Sequence, residues 1–204
     1  MAIPVLIVGE SGSGKTFSLK NFPPKEIGIF AVEKGNLPFK DPGFSIKKQA
    51  TYNVIKAALA QPKVKAYVID DSQYLMANEV FDRAKETGYG KFTDIALNFR
   101  NLIHFINTSM PDDVIVYFLH HSEYDATSGK YKVKTAGKML DNQLTVEGCF
   151  NIVLFTEVSG GDHWFITQND GTTTAKSPYE MFESEKIPND LKAVDTAIRK
   201  FYNL

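Results

Sequence analysis

The stretch at residues 9–16, GESGSGKT, constrains this chain more than any other part of its sequence. It matches the pattern G-x-x-x-x-G-K-[ST], follows the apolar run at residues 3–8 and precedes a segment, residues 14–21, that we expect to be helical. Glycines at these spacings let successive backbone N–H groups turn inward, and the positive end of the following helix adds to the same field. The sequence therefore predicts a phosphate-binding loop, the P-loop, whose ligand contacts are Gly9, Glu10, Ser11, Gly12, Ser13, Gly14, Lys15, Thr16 and Phe17.

Three side chains have predicted roles around the phosphates. Lys15 is expected to bridge the β- and γ-phosphate oxygens of a nucleotide, and the Thr16 hydroxyl to bind Mg²⁺. A second apolar run, residues 64–69, ends in Asp70 and Asp71. We expect Asp70 to hold Mg²⁺ through a water molecule, from a strand beside that of the P-loop. An apolar run that ends in Asp is common where a strand enters a loop, so this interpretation depends on the P-loop upstream. The predicted cofactors are ATP and Mg²⁺.

The composition limits the class of protein and its partners. The chain has 204 residues, of which 43% are apolar and 23% charged, as expected of one soluble globular domain over residues 1–204. Its net charge of −1 means that any contact with nucleic acid must come from a local patch. We find no apolar run of membrane-spanning length and no room for a signal peptide before the first strand. We therefore expect a cytoplasmic protein with no membrane partner.

Strands and helices alternate along the predicted chain. Apolar runs that read as buried strands are separated by helical patterns and by loops rich in glycine and proline. Residues 150–158 and 163–168 predict a β-hairpin, and residues 190–201 predict a capped amphipathic helix. With a P-loop after the first strand, this order predicts an α/β P-loop NTPase fold with a mainly parallel sheet flanked by helices, followed by a C-terminal hairpin and helix.

Polar residues follow two of the predicted strands. Glu33 follows the strand at residues 27–32, and His120 and His121 follow the strand at residues 114–119. In open parallel sheets ligands bind at the carboxyl ends of the strands, so these side chains are candidates for contact with the γ-phosphate. The alternatives are an acid that pairs with a neighbouring lysine and a pair of partly exposed histidines.

Lysines and tyrosines alternate after the His120 strand. Lys130, Lys132 and Lys134 fall on one face of a predicted β-hairpin, which would be entirely basic, and they interleave with Tyr124 and Tyr131. Cations for phosphates and rings for bases are the composition of a surface that binds single strands. The alternative is a charged face that only meets solvent.

Five segments of the chain, at residues 9–16, 31–33, 68–70, 118–123 and 175–191, resemble the RecA-like ATPases of phages, the group that includes the Sak-type single-strand annealing recombinases. The P-loop segment is specific to nucleotide binding in general, and the other four are short. The resemblance implies a RecA-like core and an ATPase that acts on single-stranded DNA in recombination or annealing. It also implies self-association into a ring or filament, with a single-strand-binding protein as a further candidate partner.

The resemblance implies a catalytic base. RecA-type ATPases place a glutamate after the strand that follows the P-loop, where it orients the attacking water, and Glu33 matches that position. Asp71 is the rival, because other P-loop ATPases put the base directly after the aspartate that holds the metal. A small hydroxyl residue is commoner there in the RecA pattern, so the chain departs from it at Asp71.

The resemblance also implies a cation supplied by a neighbouring subunit. The chain has three arginines, none in an evident loop beside the site, so Lys134 and Lys138 are the candidates. Such a cation is worth orders of magnitude in rate, so an isolated monomer should be slow without DNA or oligomerisation. The family's DNA-binding loops correspond here to residues 88–91, with Lys91, and to residues 124–138.

Two other functions remain open at this point. A helicase loader, or another motor ATPase driven by a partner, would use the same site, although loaders normally carry a helical lid and only one clear helix follows residue 148. A small-molecule or nucleotide kinase is the other alternative, although kinases close over the phosphates with an arginine-bearing lid and arginine is scarce here.

Overall fold

A mixed β-sheet forms the centre of the computed structural model, which describes residues 1–33, 36–136 and 145–204. The described residues form nine strands and four α-helices: β1 (Ile3–Gly9), β2 (Ile27–Ala31), β3 (Ser45–Lys48), α1 (Tyr52–Leu59), β4 (Ala66–Asp70), α2 (Tyr74–Asp82), α3 (Gly90–Ser109), β5 (Ile115–Asp125), β6 (Lys130–Val133), β7 (Ile152–Ser159), β8 (Asp162–Ile166), β9 (Lys186–Pro188) and α4 (Leu191–Tyr202). Two short 3₁₀-helices, Thr16–Asn21 and Val146–Cys149, lie between them. None of the helices in these parts of the chain combines the length and apolar character needed to cross a membrane.

The strand order is β3-β2-β4-β5-β1-β7-β8-β9, with β6 paired to the end of β5. The strands from β3 to β7 are parallel, whereas β8, β9 and β6 pair antiparallel. This arrangement confirms the predicted α/β class and its mainly parallel sheet. One expectation is wrong: β4, which ends in Asp70, is not beside β1, because β5 lies between them. The first six residues of β5 are all buried, as a central strand with both faces covered requires.

Each face of the sheet packs against its own layer of helices. Along β1, Val5 and Ile7 point to one apolar core, while Leu6 and Val8 point to the other, as the two-residue repeat of a strand dictates. Helices α1, α2 and α3 cover the Leu6 side. Helix α4 and the 3₁₀-helix at Thr16–Asn21 cover the Val5 side. The P-loop therefore leaves the sheet from a strand that is held on both faces.

The segment after the P-loop differs from the expected helix over residues 14–21. It is a 3₁₀-helix of six residues, in which the Phe22 amide donates to the Leu19 carbonyl at 2.9 Å. Only one or two turns fit before Pro23, and Leu19 and Phe22 are both buried, so packing holds this short helix in its tighter form. A helix this short adds little dipole field to the loop, and the loop's own amides must provide most of its positive potential.

Helix α4 is capped and anchored by polar contacts, and its predicted cap is confirmed. The Asp190 carboxylate accepts from the Lys192 amide at 2.9 Å. At the amino ends of the strands, the Tyr117 hydroxyl donates to Asp195 at 3.0 Å, and Arg199 donates to the same carboxylate at 2.9 Å. Arg199 also donates to two carbonyls that precede β4 and β5, those of Lys65 and Asp113.

Candidate nucleotide-binding site

The backbone of the P-loop forms a concave row of amides at the carboxyl end of β1. Gly12 and Gly14 have φ of +77° and +100°, and Lys15 returns to the right-handed region with φ of −50°. Within the described residues, the amides of Gly12, Gly14, Lys15 and Thr16 donate no hydrogen bond to a protein acceptor. Successive unpaired amides in such a turn make an anion-binding nest.

Two glycines of the P-loop allow close approach by side chains from β7 and β8. A Cβ added at Gly9 would overlap the Thr156 hydroxyl, and one added at Gly14 would lie 2.7 Å from Nδ1 of His163. The Ser13 hydroxyl donates to the Glu10 carbonyl at 2.6 Å and lies 2.6 Å from the Thr156 hydroxyl. Nδ1 of His163 donates to the Ser13 carbonyl at 3.1 Å. Two strands distant in sequence therefore hold the loop in its nest conformation.

Lys15 is buried against the loop that precedes it. Its ammonium donates to the carbonyls of Gly9 at 2.8 Å and of Glu10 at 2.7 Å. Burial lowers the pKa of Lys15 to about 8, an effect that Asp71 and Asp70 oppose. A phosphate that entered the nest would offer this ammonium anionic oxygens in place of neutral carbonyls.

Thr16 and Asp70 meet at the opposite wall of the nest. The Thr16 hydroxyl donates to Oδ1 of Asp70 at 3.0 Å. Burial, with a further contribution from Asp71, raises the pKa of Asp70 to about 6, while Thr16 and Lys15 act against this rise.

These two oxygens fit a magnesium ion that is bound mainly by phosphate and water. In the described parts of the chain no group of three or more His, Cys, Asp or Glu residues could enclose a metal. Mg²⁺ in phosphate sites keeps several waters and takes only one or two protein oxygens, so the hydroxyl of Thr16 and the carboxylate of Asp70 are a chemically suitable pair.

A cavity of about 430 Å³ opens in front of the P-loop. Its wall includes the polar side chains of Lys15, Thr16, Asp71 and His121, and the rings of Phe17 and His163. After β1 the chain builds the strands on one side of it, from β2 to β5, and then crosses to build β7 on the other side. The cavity lies at this reversal of strand order, which is where ligands bind in open α/β sheets.

The structure separates the two adjacent histidines. His121 lines the cavity with Nε2 3.3 Å from Oδ1 of Asp71, and its ring meets the edge of Tyr74. His120 is fully buried, where its Nε2 donates to the Lys134 carbonyl at 2.8 Å and its Nδ1 lies 2.9 Å from the Ser72 hydroxyl. Burial lowers the pKa of His120 to about 4, so the ring is neutral near pH 7. His121 therefore faces the candidate site, and His120 braces the chain behind it.

The two candidate bases also differ in position. Asp71 lines the cavity and has φ of +58°, an uncommon conformation for a residue other than glycine. Glu33 follows β2 beside Asp70, since the Val32 amide donates to the Asp70 carbonyl at 3.1 Å, but Glu33 is not among the residues that line the cavity. Its carboxylate accepts from the Asn78 side chain at 3.0 Å.

The β5–β6 hairpin is present, but its lysine face is not entirely basic. Strand β5 does not stop before the histidines but runs on to Asp125, because its last four residues pair with β6. Directly opposed residues share a face, so Lys132 stands beside Glu123, with a separation of 3.6 Å, and Lys130 stands beside Asp125.

The two tyrosines of this hairpin face each other on its other side. The ring centroids of Tyr124 and Tyr131 are 5.3 Å apart. The interleaved sequence therefore separates in space into a face with lysines and acids and a face with tyrosines.

The structure describes two of the three remaining predicted cations, Lys91 and Lys134. The Lys91 ammonium donates to the carbonyls of Glu86 at 2.9 Å and Arg83 at 3.3 Å, at the end of α2. Lys134 is exposed, and its amide donates to the His121 carbonyl at 2.9 Å, which places its backbone beside the candidate site. Lys138 lies outside the described residues.

The site contains residues that local sequence patterns did not indicate. His163 and Thr156, which lie 150 and 143 residues after Ser13, contact Ser13 and support the P-loop. Tyr74 contributes to the cavity wall. The only sequence signal is that both supporting residues lie in the predicted C-terminal hairpin.

Fold and site together define an α/β protein with a mostly parallel sheet and, at the carboxyl end of β1, a glycine-rich loop with four amides that are unpaired within the described residues. Neither a protein-family model nor a curated protein matches the chain.

Proposed function

We propose that this chain is a RecA-like P-loop ATPase that binds and hydrolyses Mg²⁺·ATP. The observation that carries the proposal is the convergence of the Thr16 hydroxyl and the Asp70 carboxylate, 3.0 Å apart, beside four unpaired loop amides. An anion nest alone would accept any phosphate. A hydroxyl and a carboxylate at its rim add the protein oxygens that a nucleotide-bound magnesium requires.

Each residue has a distinct part in the proposed reaction. The loop amides and Lys15 bind the β- and γ-phosphates, and Thr16 and Asp70 hold Mg²⁺, which when bound neutralises charge on those phosphates. Asp71 is the carboxylate best placed to accept a proton from a water in the cavity, with His121 beside it. Glu33, the base implied by the resemblance, is kept as the alternative.

We further propose that the ATPase acts on single-stranded DNA in recombination or annealing, as an assembly of several copies. Support comes from the resemblance to phage RecA-like ATPases and from the hairpin that carries Lys130, Lys132 and Lys134 on one face and Tyr124 and Tyr131 on the other. The assembly would bring a cation to the γ-phosphate. Lys134 suits this role because its side chain is exposed and so accessible to a neighbouring copy.

A second cavity favours one alternative, a kinase. It measures about 330 Å³, lies on the other flank of the P-loop and has Glu10, Glu157 and Asp170 in its walls. The Ser122 hydroxyl, which also lines it, is buried and has no hydrogen-bond partner within the described residues. Acids and hydroxyls would suit a phosphoryl acceptor that carries amino or hydroxyl groups.

The test is steady-state ATP hydrolysis with and without single-stranded DNA, at two protein concentrations. The wild type should hydrolyse ATP slowly, and turnover should rise with DNA and more than linearly with protein. Lys15→Ala should abolish turnover, while Lys25→Ala, which removes an exposed lysine before β2, should not change it. Turnover that is linear in protein and indifferent to DNA would reject the DNA-dependent assembly, and activity retained in Lys15→Ala would reject the ATPase.

A further inference from the structure

The rings of Phe17 and His163 pack together and form part of the wall of the P-loop cavity. The centroids of Phe17 and His163 are 5.6 Å apart, with the planes inclined by 43°. Phe39 meets Phe17 edge-on at 6.4 Å, and the Lys20 ammonium lies 4.3 Å from the Phe17 centroid. Phe17 is the residue directly after Thr16, so the rings begin where the phosphate contacts end.

The His163 ring is fixed before any ligand arrives. Its Nδ1 donates to the Ser13 carbonyl at 3.1 Å. Pairing of β8 with β7 holds the backbone, and the missing side chain at Gly14 lets the ring approach the loop. The half-buried ring still forms part of the cavity wall.

We propose that Phe17 and His163 form the nucleobase subsite of the nucleotide site, with the base stacked against their rings. The inference rests on the proposed nucleotide binding. One cavity is lined both by the nest of the P-loop and by two packed rings, and these match the phosphate and base halves of a nucleotide. Stacking tolerates every base because each base has a π-face, so ATP and GTP should bind with similar affinity.

The His163 side chain also supports the P-loop, and a test must separate the two roles. Inorganic tripolyphosphate, with Mg²⁺, shares the phosphates of ATP but has no base, so the ratio of the two dissociation constants isolates the subsite. His163→Asn retains an N–H near the position of Nδ1 and removes the ring. His163→Phe retains a ring and removes the donor to Ser13.

In the wild type, ATP should bind more tightly than tripolyphosphate. His163→Asn should weaken the binding of ATP by about 10- to 100-fold, which is the range for one stacked base. It should change the dissociation constant of tripolyphosphate by no more than about twofold. His163→Phe should keep the ratio of the two constants near that of the wild type. Phe17→Leu, which conserves apolar volume, should lower the ratio as well.

Equal losses of ATP and tripolyphosphate in His163→Asn would overturn the subsite and leave His163 with a supporting role only. The same conclusion would follow if the wild type bound both ligands equally. If the wild type bound neither ligand, or if Lys15→Ala bound both as well as the wild type did, the proposed nucleotide site itself would fail.

Discussion

The Thr16 hydroxyl and the Asp70 carboxylate are 3.0 Å apart, although β5 separates the strands that carry them. The contact is possible because Thr16 begins the 3₁₀-helix after the P-loop and Asp70 is the last residue of β4, so both reach over β5 where its pairing with β4 and β1 ends, between Phe118 and His121. The pair therefore joins the two strands at the candidate site, and both residues would help to hold a magnesium ion there.

Replacing Asp70 should make nucleotide binding less dependent on magnesium. Asp70→Asn preserves an oxygen that can accept from Thr16 but removes the charge that attracts the hydrated ion. We expect the affinity gained by adding Mg²⁺ to fall by about 10- to 100-fold, the usual cost of losing a group that holds a metal through water. The measurement is the dissociation constant of ATP with Mg²⁺ and with a chelator. Equal gains in the variant and the wild type would contradict the metal role.

Comparison of Asp71→Asn with Glu33→Gln should identify the catalytic base. Loss of a general base typically lowers turnover by about 10²- to 10⁴-fold. Because Asp71 lines the cavity, its substitution should have the larger effect on kcat, while the dissociation constant for ATP changes little. Single-turnover hydrolysis at saturating ATP measures the step directly. A larger loss in Glu33→Gln would assign the base to the position that the resemblance implies.

The buried His120 should make the fold sensitive to mild acid. Its pKa is lowered from 6.5 to about 4, so between these values the unfolded chain binds more protons than the folded chain. Stability present above pH 6.5 should therefore be lost as the pH falls toward 4, by about 3 kcal/mol in total.

Urea unfolding of the wild type and of His120→Gln, at several pH values, measures this contribution. The variant should have a flatter profile between pH 6.5 and 4. Asp70, whose pKa is raised to about 6, acts in the opposite direction, but equally in both proteins, so it cancels in their difference. Parallel profiles would show that His120 titrates normally.

Substitutions on the two faces of the β5–β6 hairpin should have different effects on the salt dependence of single-stranded DNA binding. Substituting Lys130, Lys132 and Lys134 with Gln should weaken single-stranded DNA binding and reduce the slope of log K against log salt by about 2, if all three neutralise phosphates. Tyr124→Ala, on the other face, should weaken binding by about fivefold or more with the slope unchanged.

Substitution of Lys40, Lys47 and Lys48 with Gln removes the same charge from exposed positions around β3 and is the matched control. Fluorescence anisotropy with an oligonucleotide at several salt concentrations provides both quantities. Unchanged binding in the hairpin triple variant would exclude the lysine face as a DNA surface.

Local patterns were sufficient for the glycine-rich turn after β1, for most strands and for the capped final helix. Each of these depends on residues close in sequence, such as the run of apolar residues before Gly9 or Asp190 before Leu191. Sheet order is different in kind, because nothing in residues 64–70 indicates that a later strand will lie between them and β1.

The candidate site likewise combines features that depend on neighbouring residues with features that depend on residues far apart in the sequence. The support of the P-loop by Thr156 and His163 joins positions about 150 residues apart, and no spacing rule predicts it. The choice between His120 and His121 also required the structure. Successive residues of β5 point to opposite faces, but both faces of this sheet are covered, so alternation alone could not tell which ring reaches a cavity.

The anchor formed by Tyr117, Asp195 and Arg199 lies at the amino ends of the strands, whereas the P-loop, Asp70 and His121 lie at their carboxyl ends. These contacts therefore hold helix α4 at the amino ends of the strands, away from the candidate site. Substitutions in the loops around the P-loop cavity would leave these contacts in place. The loops at the carboxyl ends of the strands are thus free to diversify, while the contacts at the amino ends preserve the fold.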